Sequence, residues 1–79
     1  MTLILTIPKS LNTPRSAAKV LDFVQASSVF AAKRDESDEG ASTFPDGKLV
    51  DTEDNKSYHI SYNGKVWDGE KLIFNPYSK

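Results

Sequence analysis

The side chains best suited to chemistry in this 79-residue chain are its carboxylates, its one histidine and its eight or so aromatic rings. Asp35, Glu36, Asp38 and Glu39 form one acidic group, and Asp51, Glu53 and Asp54 form a second. With Asp46 they place eight carboxylates between positions 35 and 54, against Lys48 alone. Such a run can imitate a phosphate track and occupy the basic groove of a nucleic-acid-binding protein. Mimicry requires the charges to be fixed on folded elements, whereas a charge run is more often a solvated loop. The flanks have the opposite sign: Lys9, Arg15, Lys19, Lys33 and Arg34 outnumber Asp22 before the run, and Lys56, Lys65, Lys71 and Lys79 outnumber Asp68 and Glu70 after it.

Other chemistries have less to work with. His59 shares a strand face with Ser57 and Ser61, but residues two apart on a strand project side by side, and no third group is identifiable to orient the imidazole. The expectation is a half-exposed histidine on the outer face of a sheet, and no enzyme. Zinc sites draw mostly on cysteine and histidine, and this chain has no cysteine and one histidine. The acidic run also lacks the alternating spacing of a calcium loop. Gly40, Gly47, Gly64 and Gly69 are isolated at turns, so no phosphate-cradling loop is expected. No cofactor and no metal follow from these residues. Arg15, Lys19, Lys33 and Arg34 on one helix, with Tyr58, Tyr62, Trp67 and Phe74, would suit direct nucleic-acid binding. The net charge of −1 weighs against it, and the aromatic residues alternate into the expected core.

The elements that must position these groups follow from the hydropathy pattern. A chain of this length is read as a single domain, 1–79, burying about 60% of the surface its unfolded form exposes. Its 38% apolar and 27% charged content is ordinary for a globular protein. Met1–Ile7 is too short and lacks the basic region of a signal peptide, so the expected compartment is the cytoplasm, with no membrane partner. Thr2–Ile7 reads as a strand. Thr13-Pro14 reads as a helix start, and one helix is expected from about 14 to 33, with Ala17, Val20, Leu21, Val24, Ser28 and Ala31 on its apolar face. Phe23 and Phe30 lie on another face. Residues 35–44 read as an acidic loop. Lys48–Asp51, Ser57–Tyr62, Lys65–Trp67 and Glu70–Phe74 read as strands. Asn63-Gly64 predicts a type I′ hairpin turn, and Asp68-Gly69 a second tight turn, with one of the two turns open to replacement by a bulge. The fold class is α+β: one helix packed on a small antiparallel sheet, in the order β-α-β-β-β-β.

The stretch Ser61-Tyr62-Asn63-Gly64-Lys65-Val66 resembles the hairpin of small chitin-binding modules found in secreted chitinases. Those modules use a pair of tryptophans as a platform. Trp67 is the only tryptophan here, so the resemblance ends at the turn.

The leading functional expectation is a small non-enzymatic binding protein acting on a larger protein or nucleoprotein complex. An inhibitor of a nucleic-acid-handling complex, of the anti-CRISPR or anti-restriction kind carried by phages and mobile elements, fits the size and the acidic centre. Asp35, Glu36, Asp38, Glu39, Asp51, Glu53 and Asp54 would carry that contact. A second expectation is a self-associating assembly module, a homodimer joined through an exposed strand or the Phe23/Phe30 face. Direct nucleic-acid binding is the third.

Overall fold

In the computed structural model, which describes residues 2–40 and 42–77, one helix packs on a six-stranded antiparallel sheet. The elements are β1 (Leu3–Ile7), β2 (Ser16–Val20), α1 (Phe23–Ser37), β3 (Gly47–Asp51), β4 (Lys56–Ile60), β5 (Val66–Asp68) and β6 (Lys71–Phe74). Across the sheet they lie in the order β2-β1-β3-β4-β5-β6, and every neighbouring pair is antiparallel. The α+β class is as the sequence implies, with one strand added ahead of the helix.

That strand replaces the expected first turns of the helix. Thr13-Pro14 does not start a helix: the Thr13 carbonyl accepts from the Ser10 N–H in a turn. Ser16, Ala18 and Val20 then alternate toward Ile7, Leu5 and Leu3 of β1 in register. The helix start lies at Asp22-Phe23-Val24-Gln25. The Asp22 carboxylate accepts from the Gln25 N–H at 2.8 Å, and the Gln25 side-chain oxygen accepts from the Leu21 N–H at 2.7 Å. This reciprocal pair resembles a capping box and satisfies donors that a helix start leaves open. The far end also differs from expectation. Asp35, Glu36 and Ser37 continue the helix, and Asp38 closes it at φ 55°, ψ 35°, its N–H bonding the Asp35 carbonyl.

A later start changes the buried face. Ala26, Ser27, Phe30 and Ser37 are the buried positions of α1, with Phe23 packed alongside. Leu21 and Val24, expected inside, are 66% and 60% exposed. Phe30 is fully buried, and half-buried Phe23 meets Tyr58 edge-on at 5.2 Å. Phe30 sits among Leu3, Leu5, Leu49, Ile60, Val66 and Phe44, its ring 5.5 Å from that of Phe44. Gly47 makes this close approach possible. A Cβ there would lie 2.6 Å from Ile60 Cγ2 and 3.1 Å from the Phe30 ring.

The Asn63-Gly64 hairpin is not type I′. Only Gly64 of the pair has positive φ, at +86°. The Ser61 N–H reaches the Lys65 carbonyl across a three-residue loop, the arrangement of a type I turn followed by a left-handed glycine. A two-residue loop would have paired Tyr62 with Lys65 and set Trp67 opposite Ile60, inside the core. The extra residue shifts the register so that Trp67 pairs with His59 and Val66 with Ile60. A slip of one residue exchanges the two faces of a strand. Trp67 therefore leaves the expected core and takes the other side of the sheet. The second turn is tight, with Asp68 paired to Lys71 and Gly69 at φ +61°. A bulge in the β5–β6 pairing follows Val66.

Candidate functional site

The helix covers one face of the sheet. On the other face, strand alternation places Ala17 and Lys19 of β2, Ile4 and Thr6 of β1, Lys48 and Val50 of β3, Ser57 and His59 of β4, Trp67 of β5 and Leu72 of β6. One row runs straight across: Ala17, Thr6, Lys48, His59, Trp67 and Leu72 are successive register partners. Lys19, Lys48 and Leu72 are exposed, while Ile4, Thr6, Val50, His59 and Trp67 are half-buried. None of these strand positions is a carboxylate. Asp46, Glu53, Asp54 and Glu70 are exposed in the connections outside the strands.

The centre of the row is aromatic and held in place. The His59 and Trp67 rings are nearly parallel, 8° apart in plane, with centroids 6.2 Å apart. The Trp67 Nε1–H donates to Ser61 Oγ at 3.2 Å. Ser61 is itself anchored, its hydroxyl donating to Asn63 Oδ1 at 2.7 Å. The indole has its polar edge satisfied within the chain, which fixes the ring plane and leaves its apolar body for other contacts.

The seven acidic residues expected to form the site do not form one surface. Glu39 is nearly buried at 8% exposure and is used inside the molecule. Its carboxylate accepts from the Ser10 hydroxyl, from the Leu11 N–H at 3.2 Å and from the Asn12 N–H at 3.3 Å. Burial pushes this carboxyl upward, but the donors from Ser10, Asn12, Thr43 and Leu11 together outweigh it and hold the group below the usual value of 4.5. The Glu39 carbonyl also accepts from the Tyr62 hydroxyl, and Asn12 Nδ2 donates to the Ser37 carbonyl at 2.7 Å. These bonds strap the β1–β2 connection and the β4–β5 turn to the end of α1.

Asp51 is likewise buried, at 5% exposure, where its carboxylate accepts from the Glu53 N–H. Asp54 accepts from the Lys56 N–H at 3.0 Å and shapes the β3–β4 turn in which Glu53 is exposed. Asp51 pairs with Leu3 at one end of β1, whereas Glu39 is tied beyond Ile7 at the other, so the groups stand about 15 Å or more apart along the strand direction. Asp35, Glu36 and Asp38 stay exposed at the helix end, with cations beside them: Arg34 lies 3.3 Å from Asp35, and Lys33 lies 3.9 Å from Glu36.

The expected basic set is dispersed as well. Lys19 is on the open sheet face and Arg15 is exposed just before β2. Lys33 pairs with Glu36 on the helix, and Arg34 donates to the Tyr62 carbonyl at 2.8 Å with its guanidinium over the Tyr62 ring. On the helix side of the sheet, Lys56 bonds Asp68 at 2.8 Å, and that hydrogen bond and charge raise the Lys56 ammonium above its ordinary value.

Two other features complete the survey. A groove of about 360 Å³ lies between α1 and the C-terminal segment, lined by Val24, Ser28, Ala31, Phe74 and Tyr77 among others. Among the described residues, no three metal-ligating side chains come together, and no helix is long and apolar enough to cross a membrane. Comparison with protein families, with curated proteins and with solved structures finds no match for this chain.

Proposed function

We propose that this chain is a non-enzymatic binding protein that docks an anionic partner on the open face of its sheet. The observation that carries the reading is the make-up of that face: Lys48 lies beside a fixed His59–Trp67 pair with Lys19 two strands beyond it on the same side, and no strand position there is acidic. In a chain with a net charge of −1, this arrangement separates the signs, keeping carboxylates to turns, the helix end and internal bonds. A local cationic face attracts an anionic partner even when the whole domain is slightly acidic. Retention on phosphocellulose at low salt tests it. The wild-type chain should be retained and the Lys19→Glu/Lys48→Glu variant should pass through with an unchanged melting temperature. A wild-type chain that is not retained would remove the reading.

A second reading keeps the inhibitor of a nucleic-acid-handling complex, of phage or mobile-element type. It is favoured by the exposure of Asp35 and Glu36, whose side chains are 73% and 69% accessible, next to exposed Asp38. Charge reversal at these three positions should abolish capture of a basic protein partner and leave the fold intact. Glu39 is kept out of that variant because its carboxylate holds the fold together.

A further inference from the structure

Resting on the open face as the docking surface, we infer that its partner is single-stranded nucleic acid, with a base stacked against Trp67 and the backbone phosphates on Lys48 and Lys19. A cationic face alone would suit any polyanion. The aromatic pair in its middle narrows the class. His59 and Trp67 lie on adjacent strands as a parallel stack, with ring planes 8° apart and centroids 6.2 Å apart, so a further planar group on the indole would extend an existing stack. The indole is locked by its bond to Ser61, so it needs little further ordering to receive a planar ligand. An unpaired base offers such a plane, and stacking on an aromatic ring tolerates any base because each has a π-face. Lys48 is the register partner of His59, and Lys19 lies two strands further on, so cations lead away from the stack as a backbone would.

Two competing occupants fit less well. An acidic peptide is recognised by cations together with strand-edge hydrogen bonds or side-chain pockets, and it does not need an aromatic stack in mid-sheet. A duplex keeps its bases stacked inside, and its major groove admits a helix or a two-stranded ribbon. A six-stranded sheet presented face-on enters neither groove, and unpaired bases are what such sheet faces can stack.

Because Trp67 is the only tryptophan, its fluorescence reports on this site alone. The test titrates the full chain with a single-stranded oligothymidylate, with the corresponding duplex and with polyglutamate, while anisotropy of end-labelled oligonucleotide is followed in parallel. Quenching by the single strand is expected, with affinity that falls as salt rises. Trp67→Ala should weaken binding by roughly ten- to a hundred-fold. Trp67→Phe should retain most of it, which also covers the case in which the alanine variant fails to fold. Lys19→Ala/Lys48→Ala should weaken binding and flatten the salt dependence. Equal or tighter binding of the duplex would overturn the single-strand assignment. Binding of polyglutamate without the oligonucleotide would overturn the nucleic-acid assignment and leave the anionic docking face standing. Binding of neither would overturn both.

Discussion

The two faces of this sheet are built from the same strands but have different tasks. On the helix side, Leu3, Leu5, Val20, Leu49, Ile60 and Val66 are all within 1% of complete burial around Phe30. On the other side, the alternate positions of the same strands include Lys19, Lys48, Ser57 and exposed Leu72, with His59 and Trp67 at half exposure. The helix therefore decides which residues hold the fold and which are available to a partner. A domain of this size has only about 3–5 kcal/mol of stability from a single core, so little can be removed from the first face. The second face can change with much less effect.

The sharpest test of this contrast is at Phe30. Truncation of a fully buried phenylalanine costs about 3–5 kcal/mol, which matches the whole stability expected for the domain. Phe30→Ala should be unfolded at 25 °C, as read by loss of dispersion in an amide NMR spectrum. A folded Phe30→Ala chain would mean that the covered face is not the principal source of stability. Gly47→Ala comes next. Its new Cβ meets Ile60 at 2.6 Å, Phe30 at 3.1 Å and Leu5 at 3.2 Å, all side chains without room to retreat. Overpacking of this kind costs about 1–3 kcal/mol, or about 4–8 °C per kcal/mol in a domain this small. Gly40→Ala is the matched control, since a Cβ there meets nothing within 4 Å. Equal melting temperatures for the two variants would show that the helix can lift from the sheet at little cost.

The difference between the faces was only partly legible in the sequence. Alternation in Leu3–Ile7 and Tyr58–Ile60 was clear because strands buried on one side have a period of two. The segment from Ser16 to Val20 was ambiguous, since Ala17, Val20, Leu21 and Val24 also recur at helical spacing. The deciding signal was Asp22 with Gln25, a cap and its reciprocal partner, which outweighs Pro14 once both are compared. The acidic positions misled for another reason: a carboxylate reads as surface charge until its donors are known, and the donors to Glu39 are Ser10, Leu11 and Asn12, far away in sequence. One extra loop residue moves Trp67 from the expected core to the open face. Both turn types favour Asn-Gly, and the backbone distinguishes them, through the bond from the Ser61 N–H to the Lys65 carbonyl and the positive φ of Gly64 alone.

Glu39 belongs to neither face and tests the strap that joins the helix end to the loops. Glu39→Gln places an amide group where the carboxylate met only donors, so the melting temperature at pH 7 should fall. The sign of the pH effect follows from the lowered pKa of Glu39 in the folded state. Its contribution is fully present above the unfolded value near 4.5 and is lost as pH falls through the lower folded value. The gap between wild type and Glu39→Gln should therefore be widest near neutrality and should narrow below pH 4.5. A gap that stays constant down to strongly acidic pH would show that the carboxylate is not the active part of the strap.

The smallest stability effect is expected at two residues for which a binding role is proposed. Lys19→Ala/Lys48→Ala removes two exposed cations from the open face without opening a cavity or leaving a buried group unpaired. Surface changes of that kind usually alter stability by no more than about 0.5 kcal/mol each. Chemical denaturation should give a nearly unchanged midpoint and slope, since the same surface is exposed on unfolding. A loss of several kcal/mol would mean that this face is a covered structural surface in solution, as in an oligomer, and the contrast between the two faces would fail. An unchanged fold combined with weakened polyanion binding would separate the two roles on one sheet, because stability and recognition would then respond to different side chains of the same strands.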